Sequence, residues 1–188
     1  ELKLQLKSEF KKIPKKIKLI NCVGGGSSAY GFWSEFIDFN KKQIELIGVE
    51  AGGPTKSRLH AAPLSKGAKL GILHGAAAYC CQDEEGQINK TESISAGLDY
   101  PSVSPIHCFL KDSKRARYTY ATDEEALRAY QIVTKFEDLN PSLEPSHAFA
   151  EAIKIAPNLN KETIIVVNSC GDAKKDRDIL RERLVKKK

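Results

Sequence analysis

Apolar and polar positions along the chain follow two periods. Ile17, Leu19, Ile20, Cys22 and Val23 form a short apolar run that stops at Gly24-Gly25-Gly26-Ser27-Ser28. The following stretch, Ala29 to Ile37, is amphipathic and places Trp33, Phe36 and Ile37 on one side of a helix. Gln43 to Glu50 carries Ile44, Leu46, Ile47 and Val49, the pattern of a short buried strand. Strand, helix and strand within about 35 residues make a βαβ unit, which implies a parallel sheet.

Further along, Lys69–Leu73 reads as a strand. Ala76–Cys81 and Gln87–Ser93 flank Asp83-Glu84-Glu85-Gly86, which reads as a hairpin turn. Arg115 to Ala121 alternates as a strand. Thr122 and Glu125 then form a capping box for a helix running to about Phe136, with Ala126, Leu127, Tyr130 and Val133 as its buried stripe. A short helix is predicted over Ser146–Ile155, a strand over Thr163–Val167, and a basic helix from Asp176 to about Lys186. At the start, Leu2, Leu6 and Phe10 suit a helix face, whereas Leu2, Leu4 and Leu6 alternate as a strand does; Pro14 ends either one. Ala51–Gly67 and Ala96–Pro105 are irregular, and the second is rich in Gly, Pro and Ser, a composition that often carries function in an α/β domain. The fold expected is therefore α/β, one domain over 1–188, with a mostly parallel twisted sheet, helices on both faces and a small β-hairpin excursion.

The glycine turn is the first candidate for chemistry. Three glycines in a row remove every Cβ, allow positive φ and let a ligand approach the backbone. Free N–H groups at the start of the next helix suit an anion, and Ser27 and Ser28 add hydroxyl donors. A phosphate cradle and a ligand-free tight turn both fit these residues, because the run has neither GxGxxG spacing nor a Gly-Lys-Ser/Thr ending. A second polar turn, Asn168-Ser169-Cys170-Gly171-Asp172, follows the Thr163–Val167 strand. Ligands of parallel α/β sheets sit at the carboxyl ends of strands, so the two turns can face one pocket.

Composition narrows the functional classes. The 188 residues carry a net charge of +6, but the lysines gather at Lys11, Lys12, Lys15, Lys16 and Lys18 and again at Lys186, Lys187 and Lys188, without interleaved aromatics. This reads as solvated surface and not as a nucleic-acid footprint. No apolar run approaches the roughly 20 residues of a membrane helix, and no signal-peptide pattern opens the sequence. The five cysteines, Cys22, Cys80, Cys81, Cys108 and Cys170, show no CxxC spacing; this argues against a disulfide framework or zinc site and for a reducing cytoplasm. There is no methionine, even at position 1, which leads to the expectation of a piece of a longer chain or a processed one.

Several runs together resemble the tryptophan synthase β chain, a pyridoxal-phosphate (PLP) enzyme of fold type II. They are Cys22-Val23-Gly24-Gly25-Gly26-Ser27, Leu46-Ile47-Gly48-Val49-Glu50, Gly86-Gln87-Ile88 and Ser93 through Val103 (Ser-Ile-Ser-Ala-Gly-Leu-Asp-Tyr-Pro-Ser-Val). Thr122 through Leu127, Leu143-Glu144 with Ser146-His147-Ala148, and Val166-Val167-Asn168 complete the set. The resemblance covers about Glu1 to Leu180 and implies a Rossmann-like PLP-binding domain. Gly24, Gly25, Gly26 and Ser27, with Ser28 next to them, match the loop that holds the cofactor phosphate. Glu144 matches a glutamate beside the cofactor ring, and Cys170 stands where a serine usually meets the pyridine nitrogen. Asp99 matches the aspartate of the loop that closes the catalytic site. The carbonyls of Gly24, Leu98, Tyr100 and Ser102 match a monovalent-cation site for Na+ or K+.

Bland readings stand beside these. Glu144 can cap a helix beginning near Ser146, and Asp99 can bond its own loop. His147 reads as a packed helix residue and not as an acid or base, while His60, His74 and His107 carry no pattern. The chain departs from the family at Ser28, where asparagine is usual, at Cys170, and at Asp172, where the family carries a base. The family's Schiff-base lysine, its catalytic glutamate and its α-chain docking region lie earlier than the glycine loop, and no lysine here occupies an equivalent setting. The resemblance thus implies the C-terminal cofactor-binding domain without the N-terminal half. The parent enzyme would make L-tryptophan from L-serine and indole in company with an α chain. This chain is expected to be inactive alone and to self-associate or dimerise through apolar surfaces meant for missing parts. Two other readings are a non-catalytic phosphate- or PLP-binding module from a truncated or split gene, and a PLP-superfamily relative with another nucleophile; the Ser93–Val103 run argues against the last.

Overall fold

A computed structural model describes residues 1–185. Four strands form one parallel sheet: β1 (Ile17–Cys22), β2 (Ile44–Ala51), β5 (Ala116–Ala121) and β6 (Ile164–Val167), in the order β5-β2-β1-β6. A two-stranded antiparallel hairpin, β3 (Lys69–Leu73) and β4 (Ala76–Cys80), stands outside it. The period-2 alternation divides the sheet's side chains between two cores. Ile17, Leu19, Ile44 and Leu46 point to one face, packed with Trp33 of α2 (Ser27–Trp33) and Cys108 and Leu110 of α3 (Pro105–Asp112); Leu6 of α1 (Leu2–Phe10) joins them. Ile20, Cys22, Ile47 and Val49 point to the other, against Ala148 of α5 (Leu143–Ile155), which lies beside α4 (Asp123–Glu137). A third cluster, Ile94, Leu143, Ala173 and Leu180, ties α6 (Arg177–Val185) to that second side. The α/β architecture with helices on both faces is the one expected.

Several local features follow the sequence signals. Thr122 Oγ1 accepts from the Glu125 N–H and the Glu125 carboxylate accepts from the Thr122 N–H, the reciprocal capping box, which contributes about 1 kcal/mol. The opening segment is a helix, so the i, i+4 spacing prevails over alternation. It ends at Phe10 with Lys11 in the left-handed region, before Pro14 is reached. The helix predicted over Ala29–Ile37 starts two residues earlier, at Ser27, and gives way to a 3₁₀ turn at Ser34–Phe36. The helix predicted from Ser146 begins at Leu143, with Ser142 at its N-cap.

The hairpin lies elsewhere than expected. Asp83–Gly86 is a turn, held by Asp83 Oδ1 accepting from the Glu85 and Gln87 N–H groups. Beyond it only a single bridge, Gln82 with Ile88, forms, because Gln87–Lys90 is exposed and Ile88 is its one apolar residue, too little to make a strand face that can be buried. The true hairpin turn is His74-Gly75, where both residues have positive φ, as a two-residue connection of this kind requires. The end of the predicted basic helix and the Lys186–Lys188 cluster lie outside the described residues. Lys11, Lys12, Lys15 and Lys16 are exposed, and Lys18 pairs with Glu45.

Candidate functional site

From β1 the chain moves to β2 and then β5 on one side, while β6 pairs with β1 on the other. The boundary between β1 and β6 is therefore the point where strand order reverses, and the helices that follow these two strands, α2 and α6, pack in different clusters. In open parallel sheets a crevice for ligands opens there, beyond the carboxyl ends of the strands. Both polar turns recognised in the sequence emerge at this boundary. Asn21 Nδ2 and Asn168 Nδ2 each donate to Ser28 Oγ, at 3.1 and 3.4 Å, and Cys22 Sγ lies 3.6 Å from Cys170 Sγ. The two turns face one place, as the sequence suggested.

The turn after β1 is supported from behind. Gly26 has φ of 100°, and a Cβ there would overlap the His107 ring. His107 Nε2 donates to the Gly26 carbonyl at 2.8 Å, and the Tyr118 hydroxyl donates to His107 Nδ1 at 2.7 Å. The tautomer follows from the partners, since a carbonyl only accepts. Burial lowers the His107 pKa and raises that of Tyr118, so the imidazole stays neutral and the phenol keeps its proton; both shifts fit these hydrogen bonds. Trp33 meets both rings edge-on at 5.7 and 6.4 Å. Gly24 faces the other loop: a Cβ there would sit 2.6 Å from the Gly97 carbonyl oxygen. The space over Gly25 is open, and Gly25, Ser27 and Ser28 are exposed. The turn is thus backed by the His107 ring at Gly26, flanked by Gly97 at Gly24, and open over Gly25. Its geometry fits a phosphate group, with Ser27 and Ser28 available at the start of α2. The sequence carried no signal for His107 or Tyr118; only the fold brings them behind the glycines.

Glu144 lies in the first turn of α5 and does not cap it. Its Oε1 accepts from the Gly97 N–H at 3.0 Å and from Lys175 Nζ at 2.6 Å, while Oε2 accepts from Ser142 Oγ at 2.7 Å. Burial alone would raise this carboxyl; Lys175 and Ser142 outweigh it and hold it down at about 2. Glu144 thus joins the Ser93–Val103 loop to the segment after β6. The sequence carried no signal for Lys175, which lies between the Asn168–Asp172 turn and the basic helix predicted from Asp176. Asp172, the departure that put an acid near an anion site, accepts from the Lys174 N–H at 2.8 Å and so caps its own 3₁₀ turn.

The Ser93–Val103 loop lies against the glycine turn through Gly97 and Leu98. Asp99 is exposed, and its N–H donates to the Ser95 carbonyl. Of the four carbonyls matched to a cation site, that of Leu98 accepts from the Tyr100 N–H, and Ser102 bridges to Cys80. The Tyr100 hydroxyl meets His74 Nδ1 at 2.9 Å, which joins this loop to the hairpin tip. His147 is buried and bonds the Leu143 carbonyl through Nδ1, a packed helix residue as read from the sequence. Glu50, at the end of β2, has a structural task. Its carboxylate accepts from the Leu64 and Ser65 N–H groups and the Ser65 hydroxyl, organising the irregular segment after β2, and burial raises its pKa to about 7.

No family model matches the chain. Among curated proteins, tryptophan synthase beta chain 1 of Chlamydia caviae is 49% identical over 178 residues, covering 93% of this chain and 42% of that relative. The tryptophan synthase beta chain of Chromobacterium violaceum is 46% identical over 177 residues, covering 94% of this chain and 43% of that relative. The chain thus spans less than half the length of these relatives. Among solved structures, a fungal L-serine ammonia-lyase from Rhizomucor miehei superposes with a TM-score of 0.63 at 19% identity, over 97% of this chain and 54% of that one, a likeness of fold. No helix among the described residues is long and apolar enough to cross a membrane. Identity of 46% and 49% over more than nine-tenths of its length makes this chain a homologue of the C-terminal portion of tryptophan synthase β chains.

Proposed function

We infer that the chain is the cofactor-binding portion of a PLP-dependent tryptophan synthase β chain acting in the cytoplasm. The observation that carries this reading is the glycine cradle at the β1/β6 crevice, in a chain that is 46% identical to a known tryptophan synthase beta chain over 177 residues. Gly24, Gly25, Gly26, Ser27 and Ser28 hold the cofactor phosphate. Cys170 faces the ring nitrogen and Glu144 lies beside the ring. Asp99 closes the loop over substrate, and the carbonyls of Gly24, Leu98, Tyr100 and Ser102 hold Na+ or K+. Bound PLP supplies an electron sink for chemistry on L-serine. This chain's own groups hold, orient and cover it, while the lysine that would carry the aldehyde comes from sequence matching the family's N-terminal half, as does contact with an α chain. Supplied with L-serine, indole and PLP, the 188-residue chain alone makes no tryptophan. It also self-associates through apolar side chains left exposed on the hairpin and helices, Leu70, Ile72, Phe109 and Phe136 among them.

The test is complementation. The N-terminal portion of the Chlamydia caviae relative, expressed separately or fused ahead of Glu1, should restore tryptophan formation from indole and L-serine. Turnover by this chain alone would overturn the division of labour. Failure of PLP to bind either the complemented protein or this chain would overturn the cradle as a PLP site, whereas PLP binding without turnover in the complemented protein would favour the non-catalytic module.

A further inference from the structure

We propose that Cys22 and Cys170 are a reversible dithiol–disulfide pair, oxidised by peroxide, that bridges the ends of β1 and β6 beneath Ser28. The two sulfurs lie 3.6 Å apart. Ile20 and Val167 pair in the parallel register, and the two cysteines lie two and three residues beyond them on neighbouring strands. Paired strands run about 4.8 Å apart, within the roughly 4.4–6.8 Å Cα separation that a disulfide spans. Closure of the sulfurs therefore needs side-chain rotation at two strand ends, and Cys170 sits in a turn able to adjust.

The two thiols differ as an attacking and a resolving cysteine must. Cys170 is exposed and Cys22 is buried. A hydrogen bond from the Cys22 thiol brings the Cys170 pKa down to about 6 against the effect of burial, and Ser28 adds to the lowering. Cys170 is then a solvent-accessible thiolate at neutral pH, the condition for selective oxidation. The pKa of Cys22 is raised, first by its hydrogen bond to Cys170, then by burial and by the charges of Cys170 and Glu144. Oxidation of Cys170 removes two of those four effects and frees Cys22 to react. The remaining cysteines make internal controls: Cys80, Cys81 and Cys108 are buried, and burial raises Cys81 to about 11 and raises Cys108.

The reaction with hydrogen peroxide balances in two steps. The Cys170 thiolate sulfur attacks one peroxide oxygen and the O–O bond breaks. The departing hydroxide takes a proton from solvent and leaves as water, and Cys170 becomes a sulfenic acid. The Cys22 sulfur then attacks the Cys170 sulfur and the S–O bond breaks. The hydroxide released takes the Cys22 proton and leaves as a second water. One peroxide is reduced while two thiols lose two hydrogens. The bridge removes the Cys170 thiolate charge beside Ser28, and it stands whatever ligand fills the cradle.

The full chain, reduced and desalted, is treated with a small excess of hydrogen peroxide, blocked with iodoacetamide and mapped by peptide mass. The expected product is one cross-linked species joining the Cys22 and Cys170 peptides, lacking two hydrogens and resolved by dithiothreitol, with Cys80, Cys81 and Cys108 still free. Accumulation of a Cys170 sulfinate with Cys22 free, or a Cys170–Cys170 link between chains, overturns the proposal. Cys22→Ser should trap the Cys170 sulfenic acid for dimedone, which the wild-type chain labels only in trace; equal labelling of both also overturns it. The wild-type peptide map decides the question even where that variant fails to fold.

Discussion

The two turns at the β1/β6 boundary hold complementary residues but are built differently. The turn after β1 leaves a strand paired on both sides, and behind it stand His107, Tyr118 and Trp33, all joined by hydrogen bonds or ring contacts. The turn after β6 leaves an edge strand whose four residues are all only half-buried, although Ile164-Ile165-Val166-Val167 is the most apolar strand pattern in the chain. It is tied down by Ser142 donating to the Gly171 carbonyl, by Ala173 donating to Asn140, and by the Lys175–Glu144 pair. The glycine turn is thus set in shape before any ligand arrives, and the second turn is attached through polar contacts nearer to solvent. Rigid backbone suits a phosphate, whose donors must converge; an adjustable segment suits a group that meets the rest of a ligand.

Substitutions test that asymmetry. Gly26→Val should have the largest effect, destabilising the chain by about 3 kcal/mol or more in urea unfolding, because a side chain at φ of 100° is strained and collides with His107. A loss under about 1 kcal/mol would mean that the turn adapts as freely as its counterpart. His107→Phe keeps the ring but leaves the Tyr118 hydroxyl without its acceptor and takes one donor from Gly26. The expected cost is about 1–3 kcal/mol, with weaker binding of inorganic phosphate by the chain. Glu144→Ala should cost about 1 kcal/mol, since half-exposed Lys175 regains water, and should speed proteolysis of the Ser95–Asp99 loop. Glu144 also sets a pH signature. Its pKa lies below the unfolded value of 4.5, so its contribution is fully present above that value and is lost as pH falls toward about 2. The variant's stability should therefore fall less steeply than wild type over that acid range. Cys170→Ser should change stability by no more than about 0.5 kcal/mol, because the side chain is exposed; a larger loss would place the second turn in the same mechanical class as the first.

The local signals that proved legible were those in which chemistry and period agree within a few residues. Ile44–Ala51 is apolar on both faces, as a strand buried on both sides must be, and Thr122 with Glu125 start a helix by their own hydrogen bonds. The misplaced hairpin shows the limit. Asp83–Gly86 has the composition of a turn and forms one, but whether a turn joins two strands depends on a surface for the second strand to cover, and Gln87–Lys90 has none. Glu144 is similar: its place at the start of α5 was legible to within a turn, but its attachment to Gly97 and Lys175 was not.

By itself the sequence determined the α/β class, the order of strands and helices apart from α3 and the second arm of the expected hairpin, the glycine turn and its neighbouring hydroxyls, and the likeness to the C-terminal portion of tryptophan synthase β chains. These follow from alternation, caps and short motifs, each set by interactions among near neighbours in the chain. Only the tertiary structure decided which strand flanks β1, and so that Cys22–Ser28 and Asn168–Asp172 share a crevice. It alone brought His107 behind Gly26 and Lys175 onto Glu144. Partners 31 to 148 residues apart, as for Lys175 with Glu144 and Cys22 with Cys170, have no local period to announce them, because their contact is set by how the sheet and its helices pack.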